Sequence, residues 1–315
     1  MAVDAVHQCP HCELRFALRP ELEDHLRGDH RPVPDDELLA TMPATTGTVI
    51  VPVDPTRSPT VAISIAASLA RQAGLDVKLV AVPSLGLASD AYLRARVQEA
   101  IAAGAPAARG NLLVTAGTPA AAIVDWAERS DAVLVCMATH GRGRVGDAVL
   151  GSVSAAVVRR SSVPVLLVGP AVRTAGDRVR RLVACLDGSE LAEGAVPAAA
   201  DLAGRLDAEV VLVRVVPHER ARPGPGGVPD LVCLQQVAER IADVPVAFEL
   251  VYDREPAQAI ARYVSGRDDT VVVMGTHGRG GLQELVLGSV ARGVVHRADC
   301  PVLVVPPRAV RSSAR

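Results

Sequence analysis

The feature that most constrains this 315-residue chain is a phrase written twice at a fixed spacing. Thr139-His140-Gly141 returns as Thr276-His277-Gly278, and in both copies nine residues then lead to a Gly-Ser pair, Gly151-Ser152 and Gly288-Ser289. Positions 140 and 277, 151 and 288, and 164 and 301 each lie 137 residues apart. A repeat of that length is a duplicated domain rather than a solenoid, whose units run about 20 to 50 residues. Each copy also opens on a β-branched strand ending in aspartate, TVIVPVD at 48–54 and RLVACLD at 181–187. There the spacing is 133, so about four residues were gained inside the second copy.

In the first copy, apolar runs at 48–53, 76–82, 111–115, 131–137 and 163–168 alternate with helix-like stretches near 58–74, 89–104, 118–129 and 152–160. Strand-like runs near 181–186, 208–216, 245–252, 270–274 and 300–305 repeat the pattern. Continuous Val-rich strands alternating with helices predict an α/β fold with a parallel sheet covered on both faces. Ligands of such folds bind beyond the carboxyl ends of the strands, where Asp54, Asp187 and both Thr-His-Gly loops fall. With 49% hydrophobic residues and 2% aromatic ones, the cores are expected to be Val, Leu, Ala and Ile. No apolar run approaches the roughly 18 residues that would span a bilayer, and residues 1–6 do not read as a signal peptide, so the expected compartment is the cytoplasm. Cys136, Cys185, Cys233 and Cys300 are expected to be core thiols.

The second loop makes the physical case for phosphate. Glycines at 275, 278, 280 and 281 leave backbone amides uncovered, and Ser289 starts a helix whose free N–H groups favour an anion. The same glycines are equally compatible with a merely tight loop. No Walker sequence occurs, and Gly278-Arg-Gly280 is not a dinucleotide fingerprint, which belongs after the first strand.

The amino terminus carries a separate signature: Cys9, Cys12, Phe16, Leu22, His25 and His30, spaced as Cys-x2-Cys-x3-Phe-x5-Leu-x2-His-x4-His. It resembles a C2H2 zinc finger, a small ββα module, at all four ligand positions and both core positions. Cys9, Cys12, His25 and His30 would supply two thiolates and two imidazoles to tetrahedral Zn²⁺. On that pattern the base-facing helix positions would be Leu18, Glu21 and Asp24, and residues 1–46 hold nine carboxylates against four arginines. Phosphate attraction is then poor, and the finger reads as a protein-docking or folding module rather than a nucleic-acid reader.

Strand-Asp, Met274-Gly275-Thr276-His277-Gly278, nine residues, Gly288-Ser289-Val290 and a closing Cys-Pro-Val-Leu-Val-Val resemble the universal stress protein family in its tandem form, over roughly residues 47 to 307. The resemblance implies two tandem Rossmann-like domains of the adenine-nucleotide α-hydrolase type with parallel five-stranded sheets, joined through their last strands as an internal pseudo-dimer. It leaves further homo-oligomerisation open. It also implies ATP with Mg: Asp187 and Val215 at adenine or ribose, Met274, Gly275 and Gly278 bordering ribose and phosphates, and Gly288, Ser289 and Val290 on phosphate oxygens. In the first copy Asp54, Val82, Met137, Gly141, Gly151, Ser152, Val153 and Ser154 fit the same roles, Ser154 adding a hydroxyl that Ala291 lacks. Ala138 departs, standing where the motif has its first glycine, and its methyl either blocks the site or shifts the ligand. Arg142 and Arg279 follow the loops and either reach a phosphate or remain solvated. His140 and His277 have no nearby acid or nucleophile in sequence and read as loop-ordering residues rather than general bases.

The expected organisation is a finger at 1–31, a linker at 32–46, domains at 47–170 and 180–307, a linker at 171–179 and a disordered tail at 308–315. Pro217 to Pro229, rich in Gly and Pro, reads as a mobile loop. The favoured function is a nucleotide-responsive stress or regulatory protein with a zinc docking module. Its rivals are a slow ATPase or adenylyl-transfer enzyme using the same pocket and, against the charge count, a zinc-finger DNA-binding regulator.

Overall fold

The computed structural model describes residues 7–8, 15–16, 47–53, 60–81, 95, 112–114, 118–139, 150–173, 176–217, 229–276, 287–307 and 309. The chain divides into two compact units, Met1–Thr45 and Thr46–Arg315. In the first, β1 (His7–Gln8) pairs antiparallel with β2 (Arg15–Phe16), His7 opposite Phe16.

The second unit holds the duplication. Its first half runs β3 (Thr48–Val53), α1 (Thr60–Ala73), β4 (Asp76–Ala81), β5 (Leu112–Val114), α2 (Pro119–Arg129), β6 (Ala132–Ala138), α3 (Ser152–Arg160) and β7 (Val165–Val168). Its second half runs β8 (Arg181–Cys185), α4 (Glu190–Glu193), α5 (Val196–Leu206), β9 (Glu209–Val216), α6 (Pro229–Ala238), β10 (Val246–Tyr252), α7 (Pro256–Val264), β11 (Thr270–Gly275), α8 (Ser289–Arg297) and β12 (Val302–Val305).

These strands form one sheet in the order β10-β9-β8-β11-β12-β7-β6-β3-β4-β5. Within each half every pairing is parallel, and the halves meet where β12 runs antiparallel to β7, pairing Val302 with Leu167, Leu303 with Leu166 and Val304 with Val165. The seam lies mid-sheet, so its side chains are buried on both faces, and Leu166, Leu167 and Leu303 are at most 1% exposed. Fully burying such a side chain stabilises by about 1.5 to 3 kcal/mol.

Strand alternation sorts the core into two layers that each run across both halves. Val49, Leu134, Leu166, Leu182, Leu212 and Leu303 meet α1, α5 and α6 on one face. Ile50, Val135, Leu167, Val183, Val213 and Val304 meet α2, α3, α7 and α8 on the other. Cys136, Cys185 and Cys300 are buried in these layers, and burial pushes the Cys136 and Cys300 thiols from 9.0 up to about 12. Cys233 corrects the expectation of a buried thiol: it is half-buried on α6, because that helix turns Leu234 and Val237 inward instead.

Described residues of the segment joining the halves are bonded to α1. Gln72 of α1 accepts the Val179 N–H at 2.8 Å and donates to the carbonyls of Val179 (2.7 Å) and Leu206 (2.6 Å). Ser68 donates to the Gly176 carbonyl at 3.0 Å. Gly169 packs against the Val295 carbonyl so closely that a Cβ there would sit 2.1 Å from that oxygen. Ala309 is 7% exposed and donates its N–H to the Pro306 carbonyl. The expected helix at 89–104, apart from residue 95, and residues 218–228 of the expected mobile loop lie outside the described residues.

Candidate functional site

Each half builds the same corner where its fourth strand gives way to its fourth-strand loop and the following helix. Thr139 donates its N–H to the Val168 carbonyl at 3.1 Å and accepts the Gly151 N–H at 2.6 Å. In the second half Thr276 accepts the Gly288 N–H at 2.7 Å. Both threonines are buried, and each loop is thereby closed at its base by a backbone hydrogen bond.

Gly151 (φ −63°, ψ 157°) and Gly288 (φ −60°, ψ 159°) are the N-caps of α3 and α8, and no side chain caps either helix. The first intrahelical bonds run from Ala155 to Gly151 and from Arg292 to Gly288. The N–H groups of Ser152, Val153 and Ser154, and of Ser289, Val290 and Ala291, therefore have no acceptor within their helices. Neither first turn carries an acidic residue, while the last turns carry Arg159 and Arg160 in α3 and His296 and Arg297 in α8. A positive helix end with no acidic residue in its first turn is suited to an anion, and a phosphate oxygen is a good fit for its N–H groups. Ser152 and Ser289 are exposed at these starts, whereas Val153 and Val290 are half-buried.

The strand ends differ between the halves. Met137 and Met274 are both buried on the face shared with α3 and α8. Beyond them come an exposed Ala138 and a half-buried Gly275. Ser154, 4% exposed, donates its hydroxyl to the Ala138 carbonyl at 3.1 Å. Its proton is engaged on the strand end, and the side chain ties β6 to α3. Ala291 has no hydroxyl to do the same.

Asp187 follows β8 and is organised locally. One carboxylate oxygen accepts the Ser189 N–H at 2.9 Å and the Ser189 hydroxyl at 2.6 Å. Gly188 between them sits at φ +81°, where glycine carries no Cβ penalty. Ser189 in turn accepts the Ala192 N–H at 3.2 Å as N-cap of α4, so one hydroxyl fixes both the helix and the carboxylate. Val215, half-buried near the end of β9, packs toward the same face as Met274. The structure thus brings Asp187, Val215, Met274, Gly275, Gly288, Ser289 and Val290 to the carboxyl ends of one half's strands. Met137, Gly151, Ser152, Val153 and Ser154 occupy the matching place in the other half.

Asp54, Val82, His140, Gly141, Arg142, His277, Gly278 and Arg279 lie outside the described residues, as do Cys9, Cys12, His25 and His30. Among the described residues no group of three or more His, Cys, Asp or Glu is arranged to hold a metal ion. No helix among them is long and apolar enough to cross a membrane. Sequence reasoning missed Ser189, although Asp-Gly-Ser after a strand is a readable Asx-type turn. It also missed Arg214 and Asp230, an ion pair whose partners are 16 residues apart and have no signal in spacing.

Comparison with known proteins agrees with this architecture. The family model described as "Universal stress protein family" matches twice, at residues 45–169 and 178–306. Universal stress protein Rv2005c of Mycobacterium tuberculosis is 35% identical over 189 residues, a match covering 56% of this chain and 62% of that protein. Universal stress protein Rv2623 of the same organism is 28% identical over 227 residues, covering 68% of this chain and 74% of the relative. The crystal structure of a universal stress protein from Archaeoglobus fulgidus superposes with a TM-score of 0.57 at 21% identity, covering 82% of this chain and 98% of the other, a likeness of fold. With its two family matches spanning both halves of the ten-stranded sheet, the chain belongs to the universal stress protein family.

Proposed function

We propose that this chain is a nucleotide-responsive binding protein with two unequal sites for ATP and its Mg²⁺, the second half holding the tighter one. The observation that carries this reading is the pair of uncapped helix starts at Gly151 and Gly288, each closed onto a buried threonine and neither with an acidic residue in its first turn. In the second half, Gly288, Ser289 and Val290 would hold phosphate oxygens, with Gly275, Gly278 and Arg279 bordering the chain of phosphates and Met274 the sugar. Asp187 and Val215 would take the adenine or ribose. Gly151, Ser152 and Val153, with Asp54, Val82, Met137, Gly141 and Arg142, would do the same in the first half. There Ala138 adds a methyl and Ser154 stiffens the corner, which lowers affinity.

Binding rather than turnover is the reading because Asp187, the carboxylate at the strand end, is held by Ser189 and oriented as a recognition group. Added Mg-ATP should raise the melting temperature in proportion to the logarithm of its concentration once above Kd. Gly288→Val should remove most of that rise, since its φ and ψ suit any L-residue and only the cradle is filled. A melting temperature unmoved by ATP overturns the reading.

At the amino terminus, we propose that Cys9, Cys12, His25 and His30 hold one zinc ion and that the module docks a protein partner. The β1–β2 pairing supports this, because its register puts both cysteines in the six residues joining the two strands. Zinc would tie that hairpin to the histidine-bearing segment as a structural site. About one zinc per chain by metal analysis, lost in Cys12→Ser, is the expected result; metal-free purified protein in which all six cysteine thiols titrate contradicts it.

A further inference from the structure

Among the described residues, two charged side chains fall in the buried set, and they are partners. Arg214, 6% exposed on β9, and Asp230, 9% exposed in the first turn of α6, form an ion pair at 2.8 Å. By contrast Arg181 and Glu209, joined across the opening of β8 and β9, stay 26% and 37% exposed. A buried pair is weak evidence for stability, since apolar side chains of the same volume often serve as well. This fold illustrates the point within itself. Thr48 pairs with Asp76 as Arg181 pairs with Glu209, and that register makes Ala81 the first-half counterpart of Arg214. The sheet is therefore built in one half without the charge.

What the pair does is fix position. Arg214 immediately precedes Val215, and the two side chains leave the strand on opposite faces, Val215 toward the face of Met274 and Arg214 toward α6. Asp230 holds the start of α6 against this strand end, at the far side of residues 218–228. Just beyond α6, Arg240 bonds Glu193 of α4 at 2.6 Å. Helix α4 starts at Ser189, which holds the Asp187 carboxylate. Helix α6 is thus a brace tied at one end beside Val215 and at the other to the helix that orients Asp187.

We propose that the buried Arg214–Asp230 pair is a positioning device for the base end of the second nucleotide site, acting through Val215 and α6, with no counterpart in the first half. The inference rests on the nucleotide reading above and assigns these two residues to recognition of the nucleoside rather than of the phosphates. Arg214→Met alone leaves a carboxylate buried without its partner and threatens folding, so the informative variant is Arg214→Met with Asp230→Leu, which keeps volume and removes both charges.

The test reads the second site alone, in full-length Gly151→Val protein, by calorimetric titration with ATP, adenosine and inorganic tripolyphosphate. The double variant should keep its melting temperature and its tripolyphosphate affinity, the latter within about twofold, while ATP and adenosine each bind about tenfold more weakly. Arg214→Lys, which restores the charge without the guanidinium fork, should recover part of the loss. ATP and adenosine affinities unchanged in the double variant overturn the proposal, and so does an equal loss for tripolyphosphate, which marks a general structural role. Absence of ATP binding in the parent protein overturns the nucleotide reading, and this inference with it.

Discussion

Set beside each other, the two halves are most alike where backbone would meet an anion and least alike where side chains would meet a base. Their N-cap glycines differ by 3° in φ and 2° in ψ, and their loop-closing hydrogen bonds by 0.1 Å. Around that constant corner the side chains have diverged. Ala138 and Ser154 stand against Gly275 and Ala291, Ala81 against Arg214, and Gly169 against Pro306. The difference teaches that a helix start is preserved through duplication because its donors are main-chain groups that any sequence supplies. Specificity, which depends on side chains, is free to change in one copy while the other keeps the original task.

The comparison also shows how the two halves are joined. Both hydrophobic layers run through the seam, and the first half's α1 lends Gln72 and Ser68 to the segment that leads into the second. The sharpest way to break this arrangement is Gly169→Ala. Its new methyl would meet the Val295 carbonyl, backbone on both sides with nowhere to go, and the expected cost is about 3 kcal/mol or more in denaturant titration. A smaller loss, about 2 kcal/mol, is expected for Gln72→Leu, which strips partners from two carbonyls and one N–H in a part-buried place. If the two halves then melted in separate calorimetric transitions, Gln72 would be identified as their main tie; one transition at lower temperature is the expected result.

Two further substitutions sharpen the contrast by making the halves more alike. Ala138→Gly combined with Ser154→Ala rebuilds the second-half corner in the first half and should tighten nucleotide binding there about tenfold, or about 1.4 kcal/mol. Unchanged affinity would show that the base end, not this corner, limits the first site. The smallest effect concerns helix ends. Helix α1 ends on Gly74 at φ +64°, and its counterpart α5 ends on Asp207 at φ +49°, both followed by a residue bonded back to the helix. Asp207→Gly should stabilise by up to about 1 kcal/mol, because the left-handed conformation costs an L-residue that much and the exposed Arg178–Asp207 pair returns little.

Much of this was legible in the sequence because it is written in period and repetition. The Val-rich runs marked the strands to within about two residues, and Gly288-Ser289 and Gly151-Ser152 announced their helix starts. Legibility failed wherever a contact joined distant positions. Nothing in the local sequence says that Ser154 would turn back to the Ala138 carbonyl, that Gln72 would reach Val179, or that Arg214 would find Asp230. Each depends on how two elements cross, which composition and spacing do not encode. Cys233 misled for a related reason: on an apolar helix, residue type alone does not tell which side faces the sheet.

The central claim is that one rigid frame carries two unequal nucleotide sites, and calorimetric titration of Mg-ATP into nucleotide-stripped protein tests it most directly, with Gly288→Val and Gly151→Val alongside. The account predicts a two-phase isotherm whose tighter phase disappears in Gly288→Val and whose weaker phase disappears in Gly151→Val. Two equal sites, or a tight phase that survives Gly288→Val, would contradict it.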